Sequence, residues 1–122
     1  MTTSYFFDSY AIMEILKGNP HFDKYLNAHI VLTKLNLFEV YSNVLRNIDE
    51  ENADKIYVKY AQFAVEFDEE IIKKAAKLWV KYKKRNLSMT DCIGYVLAQT
   101  IGIKFLTGDK EFQHMTNVEF VT

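Results

Sequence analysis

Two short runs of aromatic and β-branched character, residues 4–7 (Ser-Tyr-Phe-Phe) and 103–106 (Ile-Lys-Phe-Leu), each lead into an acid, Asp8 directly after the first and Asp109 a turn after the second. Such runs read as buried strands. Further strands are expected at residues 28–33, 63–67 and 118–121. Between them lie helical stripes at residues 9–17, 34–47, 50–62, 68–85 and 88–101, with a short helix after Pro20. Gly18 and Gly102 end two of the helices. Strand and helix alternating in this way point to an α/β fold, a parallel sheet with right-handed crossovers. In such sheets ligands bind beyond the carboxyl ends of the strands, where Asp8 and Asp109 fall.

The helix 34–47 puts Leu37, Phe38, Tyr41, Val44 and Leu45 on its apolar face, with Glu39 embedded among them. The helix 68–85 is expected to bury Ile71, Ile72, Ala75, Leu78, Trp79 and Tyr82. Ser88-Met89-Thr90-Asp91 has capping-box form and opens the next helix. Each acid has a purely structural alternative. Asp8 or Ser9 can cap a helix, Asp91 can complete the capping box, and Thr107-Gly108-Asp109 can be a strand-to-helix turn. Glu39 can face solvent at the edge of its stripe. Taken together, Asp8, Glu39, Asp91 and Asp109 form a set of carboxylates that repel one another unless hard cations sit among them. Mg²⁺ and Mn²⁺ prefer oxygen ligands. That chemistry suits phosphodiester hydrolysis, which needs an activated water and relief of charge on the phosphoryl oxygens.

The 122 residues fit one domain, 1–122. No apolar run approaches the length of a membrane span, and the amino terminus does not resemble a signal peptide. The single Cys92 excludes an intramolecular disulfide; a cytoplasmic setting is expected, with Cys92 an apolar filler. His21, His29 and His114 lack metal-ligand spacing, and no glycine-rich phosphate loop occurs. Tyr10, two residues after Asp8, argues against a dehalogenase-type phosphatase. The net charge is −1, yet every charge from Lys73 to Arg85 is positive. Lys73, Lys77, Lys81 and Lys84 share one helical face, either as complement to the helix dipole or as possible contacts to an RNA backbone.

Four motifs in order carry a family resemblance: Phe7-Asp8-Ser9; Glu39 within its helix; Thr90-Asp91-Cys92-Ile93 continuing to Ala98; and Leu106-Thr107-Gly108-Asp109-Lys110-Glu111-Phe112. The chain resembles the PIN-domain ribonucleases, especially the toxins of VapBC-type toxin–antitoxin modules. The resemblance implies a three-layer fold whose five-stranded parallel sheet has the order 3-2-1-4-5. It implies RNA cleavage dependent on Mg²⁺ or Mn²⁺, leaving 5′-phosphate and 3′-hydroxyl ends. Asp8 and Asp109 would lie nearest the first metal, with Asp91 and Glu39 completing the site or holding a second metal through water, and Ser9 and Thr107 orienting the carboxylates. A homodimer and a small antitoxin partner are implied as well, with Tyr5, Tyr10, Phe22 and Tyr25 as candidate contacts. The alternatives are an RNA-processing nuclease without a toxin role and an inactive RNA- or protein-binding module of the same fold.

Overall fold

A computed structural model describes residues 2–122. Four parallel strands form the sheet: β1 (Ser4–Phe7), β2 (His29–Val31), β3 (Lys104–Thr107) and β4 (Val118–Phe120), in the order β2-β1-β3-β4. The helices are α1 (Ser9–Leu16), α2 (Lys34–Asn47), α3 (Glu50–Ala61), α4 (Glu69–Lys81) and α5 (Met89–Ile101). Two 3₁₀ turns, Pro20–Tyr25 and Lys110–Phe112, complete the path.

Strand periodicity explains the layers. Side chains alternate across a sheet, so Phe6 and Phe105 enter one core while Phe7 and Leu106 enter the other. On the first side they meet Ile71 and Ala75 of α4 and the inner face of α5. On the second they meet Ala11 and Ile12 of α1, Leu37, Val40 and Val44 of α2, and Tyr60 of α3. The result is a three-layer α/β arrangement with helices on both faces of the sheet. Four of the five helices have a side-chain N-cap: Asp8, Asp49, Asp68 and Ser88 accept backbone N–H groups at the starts of α1, α3, α4 and α5.

The strand expected at residues 63–67 is reduced to a single parallel bridge between Leu32 and Ala64. Two backbone bonds hold it: Leu32 N–H donates to Phe63 O at 3.3 Å, and Val65 N–H to Leu32 O at 2.8 Å. The chain then leaves the sheet edge so that Asp68 can cap α4. The sheet therefore has four strands rather than five, although this bridge lies on the outer side of β2, where the edge strand was expected.

Two helical stripes are narrower than expected. Leu37 and Val44 are buried, but Phe38 is 73% exposed and Leu45 is 44% exposed. On α4, Ile71 and Ala75 are buried while Ile72 and Trp79 stand about half exposed, at 49% and 51%. The Trp79 ring is pinned by its N–H, which donates to Leu87 O at 3.1 Å. Phe22 and Tyr25 belong to the core, with Tyr25 OH donating to Glu119 at 2.6 Å, so they offer no contact surface. Among the described residues no helix is long and apolar enough to cross a membrane.

Candidate active site

β1 and β3 are neighbours, and the chain leaves them in opposite directions across the sheet, so a crevice opens beyond their carboxyl ends. Asp8 sits there because the ladder continues one residue past β1: its N–H donates to Leu106 O at 3.2 Å. Its side chain is 1% exposed and accepts the Ala11 N–H at 2.7 Å. Thr107, fully buried at the end of β3, joins Asp8 to Asp109. Its hydroxyl accepts the Asp109 N–H at 3.0 Å and favours the charged form of Asp8. Asp109 in turn accepts the Glu111 N–H at 3.0 Å, capping the 3₁₀ turn that follows.

Glu39 arrives from the other side. It lies on α2, and Ser9 Oγ donates to its Oε1 at 2.6 Å. Ser9 Oγ accepts from Asn36 Nδ2 at 3.1 Å, and Asn36 Oδ1 accepts the Thr33 N–H at 2.9 Å. A buried relay thus runs from the start of α2 to the Glu39 carboxylate. Asp91 lies in the first turn of α5, where Ser88 Oγ accepts its N–H at 3.0 Å.

Asp8, Glu39, Asp91 and Asp109 line one open cavity of roughly 500 Å³, together with Tyr10, Met13, Phe38, Arg46 and Asn86. The structural and functional readings of the acids coexist: Asp8 and Asp109 are caps and also face the cavity. Burial pushes the Asp8 carboxyl well above the usual range, and the charges of Asp91 and Asp109 add to that push. The bonds from Thr107 and the Ala11 N–H pull the other way. Burial raises Asp91 to about 6, reinforced by Glu39 and Asp109 and opposed by Ser88. Cys92, next along α5, is buried and its thiol is pushed up to about 11, which suits a filler and not a nucleophile.

The donor set suits a hard divalent cation. All four groups offer carboxylate oxygens, two of them resist ionisation in place, and none makes an ion pair with a basic side chain among the described residues. No three Asp, Glu, His or Cys side chains among the described residues stand close enough to grip one ion together.

Lys73, Lys77, Lys81 and Lys84 do not line this cavity. Lys73 pairs with Glu69 at 2.6 Å, and Lys81 lies 5.3 Å from the Tyr82 ring centre. Asn36 and Arg46 are not among the residues expected at the site. Asn36 had one signal, a lone amide one turn before Glu39 in an apolar stretch. Arg46 falls two turns after Glu39, where helical spacing returns to the same face.

Residues 5–118 match the PIN domain family. No curated protein matches the chain. Among solved structures, a chain of a toxin–antitoxin complex from Klebsiella pneumoniae superposes with a TM-score of 0.75 at 19% identity, covering 95% of this chain and 96% of that one. A chain of DNA-bound VapBC from Salmonella typhimurium superposes with a TM-score of 0.71 at 12% identity, covering 98% and 97%. Both likenesses establish a shared fold.

Proposed function

The chain belongs to the PIN-domain family, and on that premise we propose that it is an endoribonuclease dependent on Mg²⁺ or Mn²⁺, the toxin of a toxin–antitoxin pair. The observation that carries the reading is the convergence of Asp8, Glu39, Asp91 and Asp109 on one cavity, with Asp8 buried and Asp91 raised to about 6. Buried carboxylates without cationic partners are costly to a fold. A divalent cation turns that cost into binding affinity.

In this reading Asp8 and Asp109 hold the cation nearest the strand ends, and Asp91 and Glu39 complete its surroundings. The bound cation supplies a water of lowered pKa and neutralises charge on the phosphoryl oxygens. The chain's own groups fix the carboxylates. Thr107 sets the spacing of Asp8 and Asp109, Ser9 holds Glu39, and Ser88 holds Asp91. Because these donors are themselves bonded, the carboxylates lose little further freedom on binding. Lys77, Lys81 and Lys84 are proposed as outlying contacts to the RNA backbone.

The partners in this proposal are RNA, a small cognate antitoxin and a second copy of the chain, in the cytoplasm. The similar chains from Klebsiella pneumoniae and Salmonella typhimurium belong to toxin–antitoxin assemblies by their descriptions. The exposed apolar side chains of Ile72, Trp79 and Met89 around a groove between α4 and α5 suit such contacts. The test is cleavage of a single-stranded RNA panel by the purified chain, with Mg²⁺, Mn²⁺ or chelator, beside Asp8→Asn. Metal-dependent cleavage lost in the variant supports the proposal. A folded, antitoxin-free chain that cuts nothing with either metal favours the binding module.

A further inference from the structure

Among the described residues, Arg46 is the only basic side chain that lines the acidic cavity. It is exposed, and among the described residues it makes no ion pair and no side-chain hydrogen bond. Other lysines facing acids of their own helix do pair, as Lys55 does with Glu51 and Lys74 with Glu70. The position follows from helix geometry. Glu39, Ser42, Asn43 and Arg46 fall at i, i+3, i+4 and i+7 on α2, and all four line the cavity. Arg46 therefore stands about 10 Å further along the axis than Glu39, given the rise of an α-helix. The Ser42 hydroxyl is taken up by Phe38 O at 2.7 Å, whereas the Asn43 amide makes no hydrogen bond within the described residues.

A polyanion entering this cavity meets four carboxylates. Cations on the floor offset that repulsion where the chemistry occurs, but not along the rest of the strand. One unpaired guanidinium at one end of the cavity supplies what is missing. Its fork of donors matches a phosphate, and so does the neighbouring amide. We infer that Arg46, assisted by Asn43, binds a phosphodiester flanking the scissile one, and so fixes the direction in which an RNA strand crosses the carboxylates. This rests on the nuclease reading given above. A cation in the last turn of α2 also favours the helix dipole, and that role alone predicts no effect on RNA.

The experiment measures steady-state cleavage by wild type, Arg46→Ala and Arg46→Lys. It also measures binding of the same labelled RNA in an Asp8→Asn background over a range of salt concentrations. Arg46→Ala is expected to raise KM and Kd about tenfold, the scale of one charged hydrogen bond, with kcat within about twofold. Its slope of log Kd against log salt should fall by about 0.7, the value for one phosphate contact on a single strand. Arg46→Lys should retain the wild-type salt slope while recovering only part of the affinity. If RNA is cut or bound but Arg46→Ala matches wild type in affinity and salt slope, the inference is overturned and the nuclease reading stands. If wild type neither cuts nor binds RNA, both are overturned.

Discussion

Ser9 and Glu39, thirty residues apart, are joined by a hydrogen bond of 2.6 Å that ties the start of α1 to the middle of α2. This bond couples the fold to the site, because Ser9 also accepts from the buried Asn36 amide. The two neighbours should respond differently to truncation. Ser9→Ala frees the Glu39 carboxylate and is expected to cost about 10–100-fold in metal affinity or cleavage, and it also costs stability because the buried Asn36 amide loses its acceptor. Asn36→Ala strips the Thr33 N–H of its acceptor and is expected to cost about 1–3 kcal/mol of stability. Chemical denaturation and cleavage assays on both variants check this contrast.

Asp8→Asn keeps the shape of the side chain and an oxygen to accept the Ala11 N–H. It removes a charge that burial and two neighbouring acids oppose. Its melting temperature without metal should equal or exceed that of wild type, while cleavage should fall more than about a hundredfold, beyond the loss of an outer-shell partner. Thermal melts in chelator and the RNA assay read the two effects. A variant that fails to fold would favour a purely capping role for Asp8.

Asp91 supplies a pH dependence. Its folded value of about 6 lies above the ordinary 3.8, so the native state holds the proton more tightly than the unfolded chain. The stability contributed by this group is fully present below the unfolded value and is lost as pH rises through about 6. Asp8 acts in the same direction. In chelator, wild type should therefore lose stability relative to Asp91→Asn between about pH 4 and about pH 7. Adding Mg²⁺ should offset the loss at the upper end, since ligands must be deprotonated to bind. Paired melts across pH measure the difference, and parallel curves would count against the shift.

Much of this arrangement was legible from residue types. The bounds of α2 at residues 34–47 agree with its apolar period, and the acids at the ends of β1 and β3 point to the crevice that they line. What was not legible depends on tertiary context. Phe63, Val65 and Phe67 alternate like a strand, yet the need to start α4 at Asp68 leaves only one bridge. Trp79 and Ile72 look like core residues on a helical stripe, but Ile71 and Ala75 fill the inner face of α4, with Leu78 packed beside them. Asn36 and Arg46 are ordinary polar letters in an amphipathic helix until the packing of α1 against α2 sets Asn36 on Ser9 and leaves Arg46 on the lining of the cavity. Tyr25 looks like surface until its ring is seen in the core and its hydroxyl on Glu119.

Gly94 reports on the opposite side of the sheet. A Cβ there would meet Phe6 Cε1 at 2.5 Å, Phe6 Cζ at 2.8 Å and Phe105 Cε1 at 3.2 Å. Both rings are fully buried and stacked on each other, so they have little room to yield. Gly94→Ala should therefore destabilise by about 1–3 kcal/mol, despite alanine's better helix propensity. Urea denaturation gives the value, and a neutral or stabilising result would mean that α5 can move away from β1.

We propose that Asp8, Glu39, Asp91 and Asp109, from four parts of the chain, together surround a bound divalent cation. The decisive experiment is calorimetric titration of Mn²⁺ into the purified chain near pH 6, repeated in buffers of different ionisation enthalpy. Wild type should bind with release of protons, because Asp8 and Asp91 hold theirs until the cation arrives. Asp8→Asn and Asp91→Asn should each bind more weakly and release fewer. Absence of binding to the folded wild type, or binding by both variants equal to that of wild type, would contradict the proposal.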